Sequence, residues 1–248
     1  METGQIMEVN IIDVNYMGKG VAKINDFVIF VADTITGDKA LIKITEVKRN
    51  YAIGELIQII NNSEIRILPI CDYFNQCGGC QLMNMSYEHQ LLYKKNRVIN
   101  ELKRACVNID NISVNNTLGM ESPIRYRNKT TFSVSMKKDE IIIGPYEQGT
   151  YNTVNIDKCL LQSEIGDKAV SVFKDLMIKY KLKPYNKSTK KGIVKNLVIR
   201  NNKLNELMFI IVTATDQIPN IKKIIKELID SVKEIKTVVQ NINPINTN

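Results

Sequence analysis

Three cysteines at a fixed spacing constrain this chain more than any other feature. Cys71, Cys77 and Cys80 form a C-x5-C-x2-C pattern, with two glycines between the last pair. Thiolates separated by two residues can turn towards one soft metal centre, and glycines between them remove the Cβ atoms that would crowd it. Such a centre needs a fourth ligand, for which Cys159 is the best candidate. Cys106 lies in a helical pattern and is predicted to be a small buried residue.

The metal at such a site is not fixed by the residues alone. Zinc sites usually combine two C-x-x-C knuckles, whereas this chain has one three-cysteine loop and one distant cysteine. A clustered set with a remote ligand is typical of ferredoxins, which favours an iron–sulfur cluster. Without further information, zinc and iron–sulfur are about equally supported, and buried cysteines without a metal are a distant third.

Charge and the N-terminus predict the partner and the compartment. The 248 residues carry a formal net charge of +8, which favours a polyanionic partner, most commonly nucleic acid. The competing interpretation is a solvated surface of scattered lysines. The first residues lack a basic and then apolar signal segment, so a cytoplasmic protein is predicted. In a reducing compartment, five cysteines indicate ligation rather than disulfides.

The chain divides into two predicted domains. Residues 6–60 contain five short β-branched runs, which predict an N-terminal OB-like small β-barrel at residues 1–62. Asn25-Asp26 is predicted to form a hairpin turn, because both residue types tolerate positive φ. Residues 63–248 continue with a helix from Ser86 to about Cys106, in which His89 is predicted to be a satisfied polar residue rather than a metal ligand. A β-β-β-α-β-β-α-β order follows, with a turn at Lys138-Asp139 and a third strand from Tyr151 to Ile156. This order predicts an α+β domain built on an antiparallel sheet.

Several motifs together resemble a known enzyme family. Residues 18–54 resemble a TRAM domain, an RNA-binding barrel. The cysteine loop with Gln81-Leu82 and the Ser86-Tyr87-Glu88 run resembles the bacterial S-adenosylmethionine-dependent RNA uracil-C5 methyltransferases, which make 5-methyluridine in 23S ribosomal RNA and in tRNA. The likeness extends to the chain end, at Thr247-Asn248. It implies that Cys71, Cys77, Cys80 and Cys159 ligate a [4Fe-4S] cluster.

The resemblance also implies an RNA partner, ribosomal RNA before tRNA because of the N-terminal barrel. Arginine and lysine can bridge phosphates, and tyrosine or guanidinium planes can stack on unpaired bases. A solvated strand end would be the favoured interpretation without the resemblance. The residues predicted to contact RNA are Lys23, Arg125, Tyr126, Arg127, Asn128, Lys129 and Arg200.

Methylation of uracil at C5 needs a cysteine nucleophile, a bound methyl donor and a base. No glycine run in the chain is typical of a donor loop, and no cysteine lies in a catalytic context. We therefore expect a fragment truncated before the Rossmann-like catalytic domain, with no S-adenosylmethionine site and no activity alone. Residues 91–120 are then expected to have lost a packing partner on the missing domain. The alternatives are a freestanding zinc or iron–sulfur RNA-binding module without enzymatic activity, and a structural or ribosome-associated protein.

Overall fold

A computed structural model describes residues 1–106 and 108–245 of the chain, so the predicted motif end at Thr247-Asn248 lies outside the described residues. The chain separates into two compact units. Unit 1 comprises Met1–Asn75 and Cys80–Met120, and unit 2 comprises Gln76–Gly79 and Glu121–Asn248. Among the helices in the described residues, none has the length and apolar character needed to cross a membrane.

Unit 1 is built on a six-stranded sheet. Its spatial order is β1-β5-β6-β4-β3-β2, and the pair β4–β6 runs parallel while the others are antiparallel. Alternate apolar residues of the strands, such as Ala22, Ile29 and Ile42, are fully buried in one core. The strands are β1 (Ile6–Asn10), β2 (Asp13–Val14), β3 (Gly20–Ile24), β4 (Phe27–Val31), β5 (Lys39–Val47) and β6 (Tyr51–Asn61).

Local chemistry explains the tight turns of both units. Asn25 and Asp26 have φ of 48° and 63°, and Ile24 pairs with Phe27 across them. This is the two-residue hairpin that the sequence predicts, and the prediction is confirmed. Lys138 and Asp139 repeat it with φ of 49° and 64°, which confirms the turn expected between two later strands.

The helix after the cysteine loop, α1 (Tyr87–Arg104), differs from its prediction at the C-terminal end. It contains no buried residue, and it ends before Cys106, which is exposed and has φ of 56°. The prediction of a buried Cys106 is therefore wrong, because the residue has left the helical stripe. Ser86 precedes the helix, and its hydroxyl lies 2.7 Å from His89 Nδ1. This contact agrees with the prediction of a satisfied polar histidine.

Unit 2 is a five-stranded sheet with two helices. Its order is β11-β10-β9-β7-β8, and residues from α2, α3 and one face of the sheet share a single core that includes Phe132, Phe173 and Phe209. The elements are β7 (Lys129–Lys137), β8 (Glu140–Gly144), α2 (Glu164–Lys179), β9 (Val194–Asn201), β10 (Leu207–Thr213), α3 (Ile221–Ser231) and β11 (Ile235–Ile242).

The predicted antiparallel sheet is wrong. β11 pairs with β10 in parallel, because α3 carries the chain back to the starting edge as a parallel pair requires. Both sheets are therefore mixed. The strand predicted at Tyr151–Ile156 is also absent from the named strands: this segment makes one bridge, Thr153 to Tyr146, and a hydrogen bond from Val154 N to Pro145 O of 2.9 Å.

Candidate nucleic-acid interface

The two faces of the unit 2 sheet differ in chemistry. On β7, Thr130, Phe132 and Val134 are buried towards the helices, and the alternate residues Thr131, Ser133 and Ser135 point to the other side. Successive strand residues point to opposite faces, so the same division holds on the neighbouring strands. The side without helices, here called the open face, is lined mainly by polar side chains.

The open face forms a concavity of about 1200 Å³. Lys129 lies directly opposite Arg200, and Ser133 lies opposite Asn196, so both pairs of side chains share this face. Asn196 in turn lies opposite Val212, which is opposite Asn241 on β11. The structure therefore brings together two residues predicted to contact RNA, Lys129 and Arg200, from strands distant in sequence.

Tyrosines line one edge of this concavity. The rings of Tyr146 and Tyr151 make an edge-to-face contact with centroids 5.7 Å apart, and Lys187 Nζ lies 5.2 Å from the centroid of Tyr151. Gly78 N donates a 2.9 Å hydrogen bond to Tyr146 O, and a Cβ on Gly78 would meet that oxygen at 3.1 Å. The glycine of the cysteine loop thus permits close approach of the backbone that carries Tyr146.

The charge of the concavity is strongly positive. Five basic side chains line it, against one acidic side chain, Glu147. The carboxylate of Glu147 accepts hydrogen bonds from Thr150 and Asn152, so local turn groups already engage it. The basic side chains are Lys129, Lys137, Lys187, Lys195 and Arg200. The face is therefore suited to a negatively charged ligand.

Lys195 is the buried member of this set, with 7% of its surface exposed. Its ammonium group donates hydrogen bonds to Asn243 O (3.1 Å) and Ile245 O (2.7 Å) and lies 5.4 Å from the ring centroid of Tyr185. Burial, reinforced by the nearby charge of Lys187, lowers the pKa of Lys195. The side chain thus anchors the segment after β11 to the sheet.

Replacing Lys195 with methionine is expected to alter how stability depends on pH. In the folded chain the lysine has a lower pKa than its ordinary 10.5, so between these values the unfolded state binds more protons. The contribution of Lys195 to the free energy of unfolding therefore rises with pH between its pKa in the folded chain and its ordinary pKa. Urea unfolding from about pH 8 to about pH 11 should show the native chain gaining stability relative to Lys195→Met. A constant difference between the two proteins would contradict this.

Arg125 is held within unit 2 by a compact network. Its Nη1 group donates to Cys159 O and Gln162 O, both at 2.7 Å, and to Asp167 Oδ2 at 2.8 Å. Asp167 also accepts from the Cys159 amide. Burial raises the pKa of the Asp167 carboxyl, and the hydrogen bond from Arg125 opposes that rise. The guanidinium therefore ties the segment before β7 to the start of α2.

Arg125→Ala is expected to destabilise unit 2 by about 2–3 kcal/mol, because it leaves a largely buried carboxylate and two carbonyls without their donor. The matched control is Lys233→Ala, which breaks a solvent-exposed pair with Asp230 in the same unit and should cost little. Urea unfolding followed by circular dichroism measures both. Equal losses in the two variants would refute the network's importance.

The other predicted RNA contacts lie in varied surroundings. Arg127 Nη2 donates to Gly79 O at 3.0 Å, and Tyr126 is 48% exposed. Asn128 is exposed, and its carbonyl accepts from the Asn201 amide. Lys23 is an exposed residue of β3 in unit 1. Sequence reasoning missed Tyr146, Tyr151, Lys187 and Lys195, although the basic stretch at residues 179–191 was a signal for Lys187.

The predicted cysteine ligands are divided between the units. Cys71 and Cys80 belong to unit 1, and Cys77 and Cys159 belong to unit 2. Cys77 Sγ accepts a hydrogen bond from Gly79 N at 3.3 Å, and none of the five cysteines is in a disulfide. Within residues 1–106 and 108–245, no group of three or more histidine, cysteine, aspartate or glutamate side chains is arranged to hold a metal ion. The prediction of a [4Fe-4S] cluster is therefore corrected, whereas the four cysteines as individual ligands stay a prediction.

Comparison with known families gives one domain match. Residues 1–57 match the TRAM domain family. The TRAM domain therefore covers all six strands of the unit 1 sheet except the end of β6. The match agrees with the resemblance seen in the sequence and supports an RNA partner, without determining which RNA.

Curated relatives match beyond the TRAM domain. A protein from Clostridium acetobutylicum described as an uncharacterised RNA methyltransferase is 35% identical over 97% of this chain and 53% of its own length. Counterparts with the same description from Staphylococcus aureus (36% identical) and Listeria monocytogenes (34% identical) match over 96% and 100% of the chain, and over 53% and 54% of their own lengths. The chain thus spans about half the length of the curated relatives it matches.

A solved structure shares the fold. The Pyrococcus abyssi tRNA (uracil-54, C5)-methyltransferase, solved in complex with S-adenosyl-L-homocysteine, matches with a TM-score of 0.68 and 18% identity. The match covers 98% of this chain and 52% of that one. Both the TRAM domain and the residues that follow it therefore have counterparts in a methyltransferase structure.

These comparisons correct three predictions made from the sequence. Proteins described as RNA methyltransferases match 97–100% of the chain, which corrects the predictions of an inactive fragment and of a non-enzymatic module. The fold class is corrected because the sheets are mixed and the match to a methyltransferase structure covers 98% of the chain. The expectation of no methyl-donor site is corrected by the product complex of that structure. The expectation that residues 91–120 lack a packing partner stays a prediction.

Proposed function

We propose that this chain functions in an RNA methyltransferase that takes its methyl group from S-adenosylmethionine. The observation that carries the proposal is the match of curated RNA methyltransferases along almost the whole chain. The donor is assigned because the fold relative was solved with S-adenosyl-L-homocysteine, the product that S-adenosylmethionine leaves after methyl transfer. The methyl donor is not assigned to any residue of this chain.

RNA binding is the part of this function that the chain's own residues support. Residues 1–62 are proposed as the RNA-binding TRAM barrel, with Lys23 on its surface, and residues 63–248 as the second domain. In the second domain, Lys129 and Arg200 are proposed to contact phosphates, and Tyr126 to stack on a base. Ribosomal RNA is the first proposed target and tRNA the second, in a cytoplasmic location.

The activity is tested by incubating the purified protein with S-adenosylmethionine labelled in the methyl group and with ribosomal RNA or tRNA transcribed in vitro, which carries no modification. The expected result is label in RNA that depends on the protein and the donor, together with RNA binding in a gel-shift assay. Binding without label would overturn methyl transfer. Absence of both would overturn the proposed function as a whole.

A further inference from the structure

We propose that the open face of the unit 2 sheet binds a single-stranded segment of RNA, with bases stacked at its tyrosine edge and phosphates over its basic rows. The inference rests on the proposed function and names the part of the RNA that this surface takes. It is carried by the size of the concavity, its charge, the position of its tyrosines and the polarity of its floor.

Size favours a polymeric ligand. The concavity of about 1200 Å³ exceeds the roughly 300–1,000 Å³ typical of small-molecule pockets. It runs across β7, β9, β10 and β11, with loop residues rising along one side. A mononucleotide would occupy only part of this space, whereas a short RNA strand extends across several strands of the sheet.

Charge identifies the polymer as an anion. The basic residues are spread along the concavity rather than collected at one point: Lys129 and Arg200 face each other at one end of the paired strands, and Lys137 lies at the far end of β7. Such spacing suits a chain of phosphates better than a single anionic group. The one acidic lining residue, Glu147, is engaged by Thr150 and Asn152.

The tyrosines distinguish a single strand from a duplex. Tyr151 is 70% exposed although its ring is apolar, and it is held by Tyr146 on one side and approached by Lys187 on another. An exposed aromatic ring beside a cation is suited to stacking on a nucleobase. Paired bases inside a helix cannot reach such a ring, so the edge selects unpaired ones.

The floor of the concavity complements unpaired bases as well. Thr131, Ser133, Asn196 and Asn241 present hydroxyl and amide groups from three strands. These groups both donate and accept hydrogen bonds, as the edges of unpaired bases require. Val198 and Ile210 lie opposite each other between these polar positions and give the bases apolar contact.

The test measures affinity of the purified chain for an unstructured RNA oligomer of about 12 nucleotides, long enough for one sheet-sized site, and for its duplex. The native protein should bind the single strand more tightly than the duplex, and a mononucleotide far more weakly. Tyr151→Ala should weaken single-strand binding by at least about fivefold, the lower bound for losing one stacked base. Tyr151→Phe keeps the ring and should bind like the native protein. Ile178→Ala removes an exposed apolar side chain from α2, which packs on the opposite face of the sheet, and should also leave binding unchanged.

Outcomes of this test separate the inference from the proposed function. Equal affinities for single strand and duplex, or equal affinities of native protein and Tyr151→Ala, would overturn the inference while RNA binding stands. Tight binding of the mononucleotide would overturn it in favour of a small-molecule pocket. Failure to bind any RNA, together with no methyl transfer, would overturn the proposed function and the inference with it.

Discussion

Replacing both Lys129 and Arg200 with glutamate is expected to raise the Kd for RNA by about 10- to 100-fold at low salt, since two phosphate contacts become repulsive. The two residues are direct partners across β7 and β9 and share the open face, so one RNA strand meets both. The slope of log Kd against log salt should also fall in magnitude by about 1.4, the value for two phosphate contacts on a single strand.

A matched control makes this result specific to the open face. Lys222→Glu with Lys226→Glu changes the net charge by the same amount on α3, whose buried residues Ile224 and Leu228 pack against the opposite face of the sheet. This variant should lose much less affinity and keep a steeper salt slope. Equal losses in the two double variants would mean that RNA binding follows overall charge rather than this surface.

Asp38→Ala is expected to cost unit 1 about 3–5 kcal/mol of stability, because it removes one partner of a buried ion pair. The Asp38 side chain has no exposed surface, and it accepts from Ile35 N (2.8 Å), Ser63 N (3.0 Å) and Arg66 Nε (3.0 Å). Truncation leaves two amides without their acceptor, and the Arg66 guanidinium is left with its hydrogen bond to Asp33 O. The carboxylate therefore joins the barrel to the segment that leads into the cysteine loop.

Hydrogen-exchange mass spectrometry is the suitable measurement for Asp38→Ala, because peptides from residues 1–75 report on unit 1 separately from unit 2. Exchange through β4 and β5 should become faster in the variant. Glu8→Ala breaks an exposed ion pair with Lys39 in the same sheet and should change exchange little. Protection that survives in Asp38→Ala as well as in Glu8→Ala would show that the network does not stabilise the barrel.

Local features of this fold were predictable from the sequence. The turns at Asn25-Asp26 and Lys138-Asp139 follow from residue types that tolerate positive φ, a property of the residues themselves. The parallel pairing of β11 with β10 was not predictable in the same way, since it depends on the path of α3 and on contacts distant in sequence. The predicted strand at Tyr151–Ile156 failed because β-branched and aromatic residues also suit a loop that packs along a sheet edge.

The candidate RNA-binding site was also only partly predictable from the sequence. Lys129 and Arg200 were individually predictable as basic strand-end residues, but their pairing across β7 and β9 depends on strand order. Tyr146 and Tyr151 became candidates only when the structure showed which face of the sheet the helices leave open. Conversely, the cysteine spacing predicted one metal centre, whereas no metal-binding group of three or more side chains is formed in the part of the chain that the structure describes.

The central claim, that the open face carries RNA, is tested most directly by photocrosslinking the purified protein to RNA and identifying the linked peptides by mass spectrometry. Crosslinks are expected on peptides that contain Tyr146, Tyr151 or β7, in addition to any on the TRAM domain. Crosslinks confined to the TRAM domain, with none on the open face of unit 2, would contradict it.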